Sequence, residues 1–193
     1  MKIKVRQLEI ITAAGEILTE SGIAGLTTKK LAAKIGFAES ALYRHFKGKE
    51  DIMVTMLQYL AAEMDKRLKD CLVNINEPEL QMKEMFNNQF DFFKKNPHFL
   101  VAIFSVGLLE GSKVINGAIM QIMDVKRKYL LQIVRKGQDE GVFKNNLSVD
   151  DLVHIIMGSF RLHMQQWRMA EFSFDVKQKG NKLMSGILTL IKT

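Results

Sequence analysis

Cysteine and proline are scarce in this chain, which has 193 residues but only one Cys and two Pro. Cys71 has no second cysteine to pair with, so an intramolecular disulfide is excluded and a reducing compartment is expected. The longest apolar run, residues 99–109, is too short to span a bilayer and predicts a buried helix. The N-terminus starts basic, but Gln7, Glu9 and Glu16 interrupt any apolar run, so no signal peptide is predicted. We therefore expect a soluble, cytoplasmic protein that does not insert into a membrane.

Residue groups that would carry catalysis or hold a metal ion are also missing from the sequence. The four histidines, at positions 45, 98, 154 and 163, lack metal-ligand spacing, and the lone cysteine has no partner. No glycine-rich loop is followed by the Lys-Ser or Lys-Thr pair that binds nucleotide phosphates. We therefore predict that the protein is not an enzyme and needs neither a metal nor another cofactor.

Positive charge is in excess and unevenly distributed. The net charge is +7, and residues 1–50 hold nine Lys and Arg residues against five Asp and Glu residues. The first quarter of the chain is therefore its most basic part. Such a charge permits a polyanionic partner, either a nucleic acid or an anionic membrane surface.

Apolar residues recur at helical spacing along the whole chain, and no long run alternates with polar residues as a strand would. We predict an all-α protein of about nine helices. The first helix should end at Gly22, the third should reach Phe46, and residues 107–112 should form a turn. Ser148 is expected to cap the eighth helix and Ser173 the ninth.

Residues 27–46, TTKKLAAKIGFAESALYRHF, have the spacing of a helix-turn-helix. Ala32 is small where two helices pack closely, and Gly36 permits the sharp turn. The predicted apolar anchors are Ile35, Phe37, Leu42 and Phe46. The residues left on the outer face of the second helix are Glu39, Ser40, Tyr43 and Arg44. The alternative is a helical hairpin with a solvated basic face and no DNA-binding role.

Residues 6–57 resemble the DNA-binding domain of the tetracycline-repressor (TetR) family. The matching residues are Gly22, Thr28, Leu31, Ala32, Ile35, Gly36, Leu42, Tyr43, Phe46, Lys49, Glu50 and Ile52. The resemblance implies an N-terminal three-helix helix-turn-helix domain, which we place at residues 1–50. It further implies a helical ligand-binding and dimerisation domain over residues 51–193.

The resemblance also implies roles for individual residues of the helix-turn-helix. Thr28, Tyr43 and Lys49 are expected to contact DNA phosphates, with Lys29 and His45 as secondary phosphate contacts. These contacts position the protein without reading sequence.

Base reading is expected from the front of the third helix. Ser40 and Arg44 are the predicted readers, since Arg prefers the O6/N7 edge of guanine. Ala38 stands where the family often has Ser or Thr as a helix cap. Glu39 is unusual in a basic face, and we expect it either to accept from a cytosine amino group or to pair with a nearby Lys.

Aromatic and methionine residues crowd the second part of the chain, and the resemblance implies that they surround an apolar ligand pocket. The predicted ligand-binding residues are Phe86, Phe90, Phe93, Phe104, Met120, Met123, His163, Met164 and Trp167. The alternative for each of them is simple core packing. The predicted dimerisation residues are Leu152, Ile156, Phe160, Leu183, Ile187, Leu190 and Ile191, although part of each apolar face must also belong to the core of one protomer.

Together these features predict a dimeric repressor that binds a palindromic operator and is released by a small, largely apolar or amphipathic effector. A dimer would place two recognition helices about one turn of DNA apart. The rival hypothesis is a carrier that sequesters a lipid-like molecule and whose DNA-binding head is idle.

Overall fold

The computed structural model describes residues 3–105 and 112–193, which form nine α-helices and no β-strand. The prediction of an all-α fold is therefore confirmed. The helices are α1 (Val5–Gly25), α2 (Thr28–Lys34), α3 (Glu39–Leu42), α4 (Lys49–Leu72), α5 (Pro78–Lys95), α6 (Pro97–Ser105), α7 (Lys113–Asp139), α8 (Val149–Met169) and α9 (Val176–Ile191). The turn predicted at 107–112 lies outside the described residues except for Ser112.

The predicted helix ends are confirmed at two places. Regular helical geometry in α1 is interrupted at Gly22, where φ is +63°. Ser148 caps α8, because its side-chain oxygen accepts a hydrogen bond from the Asp151 N–H at 3.1 Å. Both ends therefore follow from local sequence signals, a glycine at a helix end and a serine at a helix start.

Two predicted helix ends are wrong. The helix α3 ends at Leu42 rather than Phe46, because the following N–H groups bond three residues back and tighten the chain into a turn: His45 N–H donates to the Leu42 carbonyl at 2.9 Å. Asp175, not Ser173, caps α9. Its carboxylate accepts from the backbone N–H groups of both Lys177 and Gln178 at 2.9 Å.

The chain forms two compact units. The first comprises Met1–Glu63 with Pro97–Met123, and its main internal packing is between α1 and α6. The α1 residue Gly15 lies against the imidazole of His98, so closely that a Cβ there would be 2.8 Å from the His98 Cδ2 atom. The predicted domain boundary at residue 50 stays a prediction.

The second unit comprises Met64–Asn96 with Asp124–Thr193 and is built on the packing of α5 against α9. Gly180 of α9 lies on the ring of Phe90, where a Cβ would be 2.4 Å from the Phe90 Cζ atom. Glycine is required there because any side chain would collide with the phenylalanine. Among the described residues, no helix is both long and apolar enough to cross a membrane.

Candidate nucleic-acid interface and ligand interior

The helix-turn-helix starts at a well-formed cap and turns at a glycine. Thr27 caps α2, since its side-chain oxygen accepts from the Lys30 N–H at 3.1 Å. Gly36 then adopts φ of +70°, a left-handed conformation that other residues rarely take. The Phe37 N–H closes the turn on the Ala32 carbonyl at 2.9 Å. The chain is thus redirected within four residues so that α3 can follow α2.

Apolar anchors fix the short α3 and the turn after it. Leu42 is 1% exposed and Phe46 is 3% exposed, so both side chains belong to the core of the first unit. The aromatic ring of Phe37 lies 5.4 Å from the guanidinium of Arg6 on α1. With one side of this segment buried, its other residues must face solvent.

Five of the eight predicted DNA contacts have no hydrogen-bond or ion-pair partner for their side chains within the described chain. They are Lys29, Ser40, Tyr43, Arg44 and His45. All are exposed except His45, which is half-buried, and Tyr43 is 56% exposed although it is aromatic. An exposed tyrosine beside an arginine and a lysine presents both hydrogen-bond donors and positive charge to an approaching partner.

The other three predicted contacts have intramolecular partners. The Thr28 hydroxyl donates a hydrogen bond to the carboxylate of Glu39. The partner of Glu39 is therefore a threonine, not one of the lysines considered from the sequence. The ammonium of Lys49 donates to the Ile23 carbonyl at 2.5 Å and retains two further N–H donors.

The remaining lysines of α2 face the first helix. Lys34 forms ion pairs with Glu20 at 2.8 Å and Glu16 at 3.2 Å, and the Lys30 ammonium donates to the Ser21 hydroxyl. The hydrogen bond between Lys34 and Glu20 lowers the pKa of the glutamate and raises the pKa of the lysine. Both lysines consequently link α2 to α1, and the charge of Lys34 is compensated by its two glutamates.

The predicted ligand-binding residues are divided between the two units. Six of them lie in the second unit and are at least 93% buried: Phe86, Phe90, Phe93, His163, Met164 and Trp167. Phe104, Met120 and Met123 belong to the first unit. Met120 is 52% exposed and Met123 is 38% exposed. Only the six buried residues share one described interior.

Within that interior, His163 Nε2 and Trp167 Nε1 each have a hydrogen-bond partner. His163 Nε2 lies 3.1 Å from the Val176 carbonyl, and Trp167 Nε1 donates to the Phe174 carbonyl at 2.9 Å. Both side chains fasten α8 to the segment that leads into α9. Neither polar atom is therefore directed to a ligand in this structure.

Two buried polar side chains of the second unit were missed by the sequence prediction. Lys126 is 9% exposed and Gln89 is fully buried. Each had a recognisable signal, because each replaces an apolar residue in a buried helical stripe. Lys126 falls four residues after Ile122 and three before Tyr129, and Gln89 falls between Phe86 and Phe93.

An apolar groove of about 710 Å³ runs along α8 and α9. Its lining includes six of the seven predicted dimerisation residues: Leu152, Ile156, Leu183, Ile187, Leu190 and Ile191. The seventh, Phe160, instead packs inward on Phe86 and Phe90. Leu190 is 74% exposed and Ile155, which was not predicted, is 51% exposed. This face leaves large apolar side chains in water.

Comparison with known proteins adds two family matches that together span most of the chain. Residues 10–56 match the model of bacterial regulatory proteins of the tetR family. Residues 57–191 match the model of the YsiA-like protein C-terminal region. The boundary between the two matches falls inside α4.

Individual relatives are distant but cover nearly the full length. The fatty acid metabolism regulator protein of Bacillus subtilis is 23% identical over 186 residues, which is 94% of this chain and 95% of that protein. The nucleoid occlusion factor SlmA of Haemophilus influenzae is 22% identical over 187 residues, 88% of this chain and 86% of that protein.

Solved structures show the same fold. The fatty acid degradation regulator FadR from Bacillus halodurans matches with a TM-score of 0.88 at 18% identity, covering 97% of each chain. The regulator FadR from Bacillus subtilis, solved in complex with stearoyl-CoA, matches with a TM-score of 0.83 at 20% identity, covering 94% of this chain and 97% of that one.

Proposed function

Since the chain belongs to the TetR family of bacterial transcriptional regulators, we propose that it is a ligand-responsive repressor. It binds a palindromic operator as a homodimer in the cytoplasm and is released by a largely apolar effector. The observation that carries this proposal is the set of exposed donors on and after α3 that have no partner within the described chain. Such a set is available to DNA without first breaking contacts inside the protein.

The roles of the exposed residues follow from their chemistry. Ser40 and Arg44 read base edges in the major groove, and the arginine selects guanine. Lys29, Tyr43 and His45 bind phosphates beside them, and Lys49 uses its two remaining donors in the same way. Thr28 reaches a phosphate only if its hydroxyl leaves Glu39, so this contact is weaker than that of Tyr43.

The dimer forms through the groove face of α8 and α9. Two copies related by a two-fold axis cover the same exposed apolar residues on each chain, among them Ile155 and Leu190. An isologous interface of this kind matches the two-fold symmetry of a palindromic operator. Replacing Leu190 with Glu places a charge in the interface and is expected to yield monomers in light scattering, while the helix content of the protomer is unchanged.

The effector is a compound with a long acyl chain. Two observations support this class: the buried phenylalanines of the second unit, and the regulators of fatty acid metabolism among the relatives, one of which was solved with stearoyl-CoA. An acyl chain suits an interior of Phe and Met side chains, because it gains from apolar burial without needing many polar partners. Binding that favours the conformer unable to span two half-sites weakens DNA affinity, and a coupling of about 1–3 kcal/mol is sufficient.

The decisive experiment is footprinting of the purified protein on the DNA that flanks its gene. We expect a protected palindrome, a steep fall of the binding constant with salt, and loss of protection when an acyl compound is added. The Lys182→Met variant removes one exposed lysine of α9 and serves as a control. It should protect the same palindrome as the wild type. Absence of any protected site at low salt would contradict the regulator and favour the carrier with an idle head.

A further inference from the structure

Lys126 occupies a position that normally holds an apolar residue. It lies on the buried stripe of α7, and its Nζ atom is 3.6 Å from the centre of the Phe160 ring on α8. Across the described chain no carboxylate forms an ion pair with it. Burial, followed by the positive charge of Arg161, lowers its pKa to about 7. The ammonium is therefore held by an aromatic face alone, with a like charge nearby.

Gln89 is a second unsatisfied polar group in the same unit. Its side chain is fully buried on α5, and neither its amide oxygen nor its amide nitrogen has a hydrogen-bond partner. Buried amides nearly always find partners, since leaving both ends unbonded forfeits the hydrogen bonds that water would supply. Both ends of this amide are therefore open to a bound ligand or an ordered water molecule.

Both groups can be located relative to one cluster of phenylalanines, Phe86, Phe90 and Phe160. Phe86, three residues before Gln89 on α5, has its ring centre 5.4 Å from that of Phe160, and Phe90 lies 5.5 Å from the same ring. Lys126 rests on that ring. Lys126 thus borders the phenylalanine cluster at the centre of the second unit, and Gln89 lies on the same buried stripe of α5 as two members of that cluster.

We propose that Lys126 and Gln89 together bind a carboxylate at the end of the apolar effector. The ammonium compensates the negative charge, the amide N–H donates to an oxygen of the same group, and the phenylalanines enclose the first carbons of the chain. This assignment rests on the proposed function, since it requires that the effector enters the interior of the second unit. It narrows the effector from any acyl compound to one whose buried end is an anion.

The test compares ligands that share a chain and differ at one end. Oleate, oleyl alcohol and oleoyl-CoA are titrated into the full-length protein, with the fluorescence of the only tryptophan, Trp167, as the readout. Oleate is expected to bind at least about 30-fold more tightly than the alcohol, because the buried ammonium is left without an anion in the alcohol complex. Equal affinity of oleate and the alcohol would overturn the proposal, as would tight binding of oleoyl-CoA alone.

Variants separate the charge from the packing. Lys126→Met keeps the length of the side chain, and should lose the preference for oleate while it raises the melting temperature of the unliganded protein, because a buried charge is removed. Gln89→Met should weaken the binding of oleate about tenfold and should have little effect on the binding of oleyl alcohol. Lys126→Arg should keep part of the preference, and the exposed Lys182→Met should behave as wild type. Unchanged discrimination in Lys126→Met would refute the assignment.

Failure of this assignment is distinguishable from failure of the proposed function. Release of operator DNA by oleate or oleoyl-CoA supports an acyl-responsive regulator even if Lys126→Met still discriminates. If no ligand releases DNA but oleate binds through Lys126, the carboxylate site stands and the regulatory role is lost.

Discussion

Unpartnered polar groups occur in both compact units, but they have different meanings in the two places. On the helix-turn-helix, Arg44 and Tyr43 are exposed, so water satisfies their hydrogen-bonding groups. In the second unit, Gln89 is fully buried and Lys126 is only 9% exposed, so the absence of partners lowers the stability of the unliganded fold. A surface can hold binding groups at almost no cost, whereas an interior holds them only at the expense of stability.

The largest expected contrast between the units concerns a core aromatic. Phe90→Ala should lower the free energy of unfolding by about 3–5 kcal/mol, because Phe90 packs on Phe86, Phe160 and Gly180 with no exposed surface. Chemical denaturation measures the effect. The matched variant Tyr43→Ala removes an aromatic of similar size from the exposed face and should change stability by less than about 0.5 kcal/mol. An equal loss of unfolding free energy in both variants would contradict the expected difference between the core and the exposed face.

A smaller effect is expected from the protonation of Lys126. Its folded-state pKa, about 7, lies below the ordinary lysine value of 10.5, so the unfolded chain binds the proton more strongly between these two values. The free energy of unfolding should therefore rise with pH from 7 towards 10.5, by about 2 kcal/mol between pH 7 and pH 9.

Denaturation of wild type and Lys126→Met at both pH values isolates this contribution. The variant lacks the titrating group, so only the wild type should gain the additional stability. Parallel curves for the two proteins would show that the ammonium is not desolvated. Lys128, on the same helix as Lys126, forms an exposed ion pair with Asp65 of α4. Lys128→Met therefore serves as the control for loss of a lysine.

The sequence predicted which residues of the helix-turn-helix are exposed better than it predicted which residues of the second unit are buried. Leu42 and Phe46 are four residues apart, so local periodicity is sufficient to bury them and to expose Ser40, Tyr43 and Arg44. The shortening of α3 after Leu42 was missed, because a choice between a helix and a tight turn depends on single hydrogen bonds. Its consequence for the exposed face is small, since Tyr43 still faces solvent.

The interior was harder to predict because sequence alone does not say which stripe of a helix is covered. Met120 and Met123 suggested a pocket by their type, yet both side chains are substantially exposed. The charge of Lys126 suggested an exposed side chain, yet the residue is buried. The 3.6-residue period around Lys126 therefore predicted burial better than residue type did for the two methionines.

On the exposed face of the helix-turn-helix, Arg44→Ala should weaken operator binding by about 1–3 kcal/mol and relax the preference at one base pair. Lys29→Ala should instead weaken binding to all sequences alike and reduce the salt slope by about one. Gel-shift titrations against a set of operator variants measure both. Stability should be unchanged in each variant, since neither side chain has a partner inside the described chain. A uniform loss in Arg44→Ala would reassign it to phosphate binding.

The smallest expected effect concerns Glu39, the one acid on the exposed basic face. Its carboxylate accepts a hydrogen bond from the Thr28 hydroxyl. In the proposed DNA complex it would also place a negative charge near the phosphates. Glu39→Gln removes the charge and retains an oxygen that can accept from Thr28. Binding to arbitrary DNA should strengthen by about two- to fivefold, the scale of one exposed charge interaction.

Base preference decides between two roles for this glutamate. If Glu39 accepts from a cytosine amino group, Glu39→Gln loses the preference for that base pair although its general affinity rises. If Glu39 only orients Thr28, the preference persists, and Thr28→Val should leave it unchanged as well. Selection of binding sites by each variant from a random pool measures the preference directly. An unaltered consensus in Glu39→Gln would make Arg44 and Ser40 the sole readers and Glu39 an electrostatic restraint on affinity, one that keeps non-specific binding weak enough for the operator to compete.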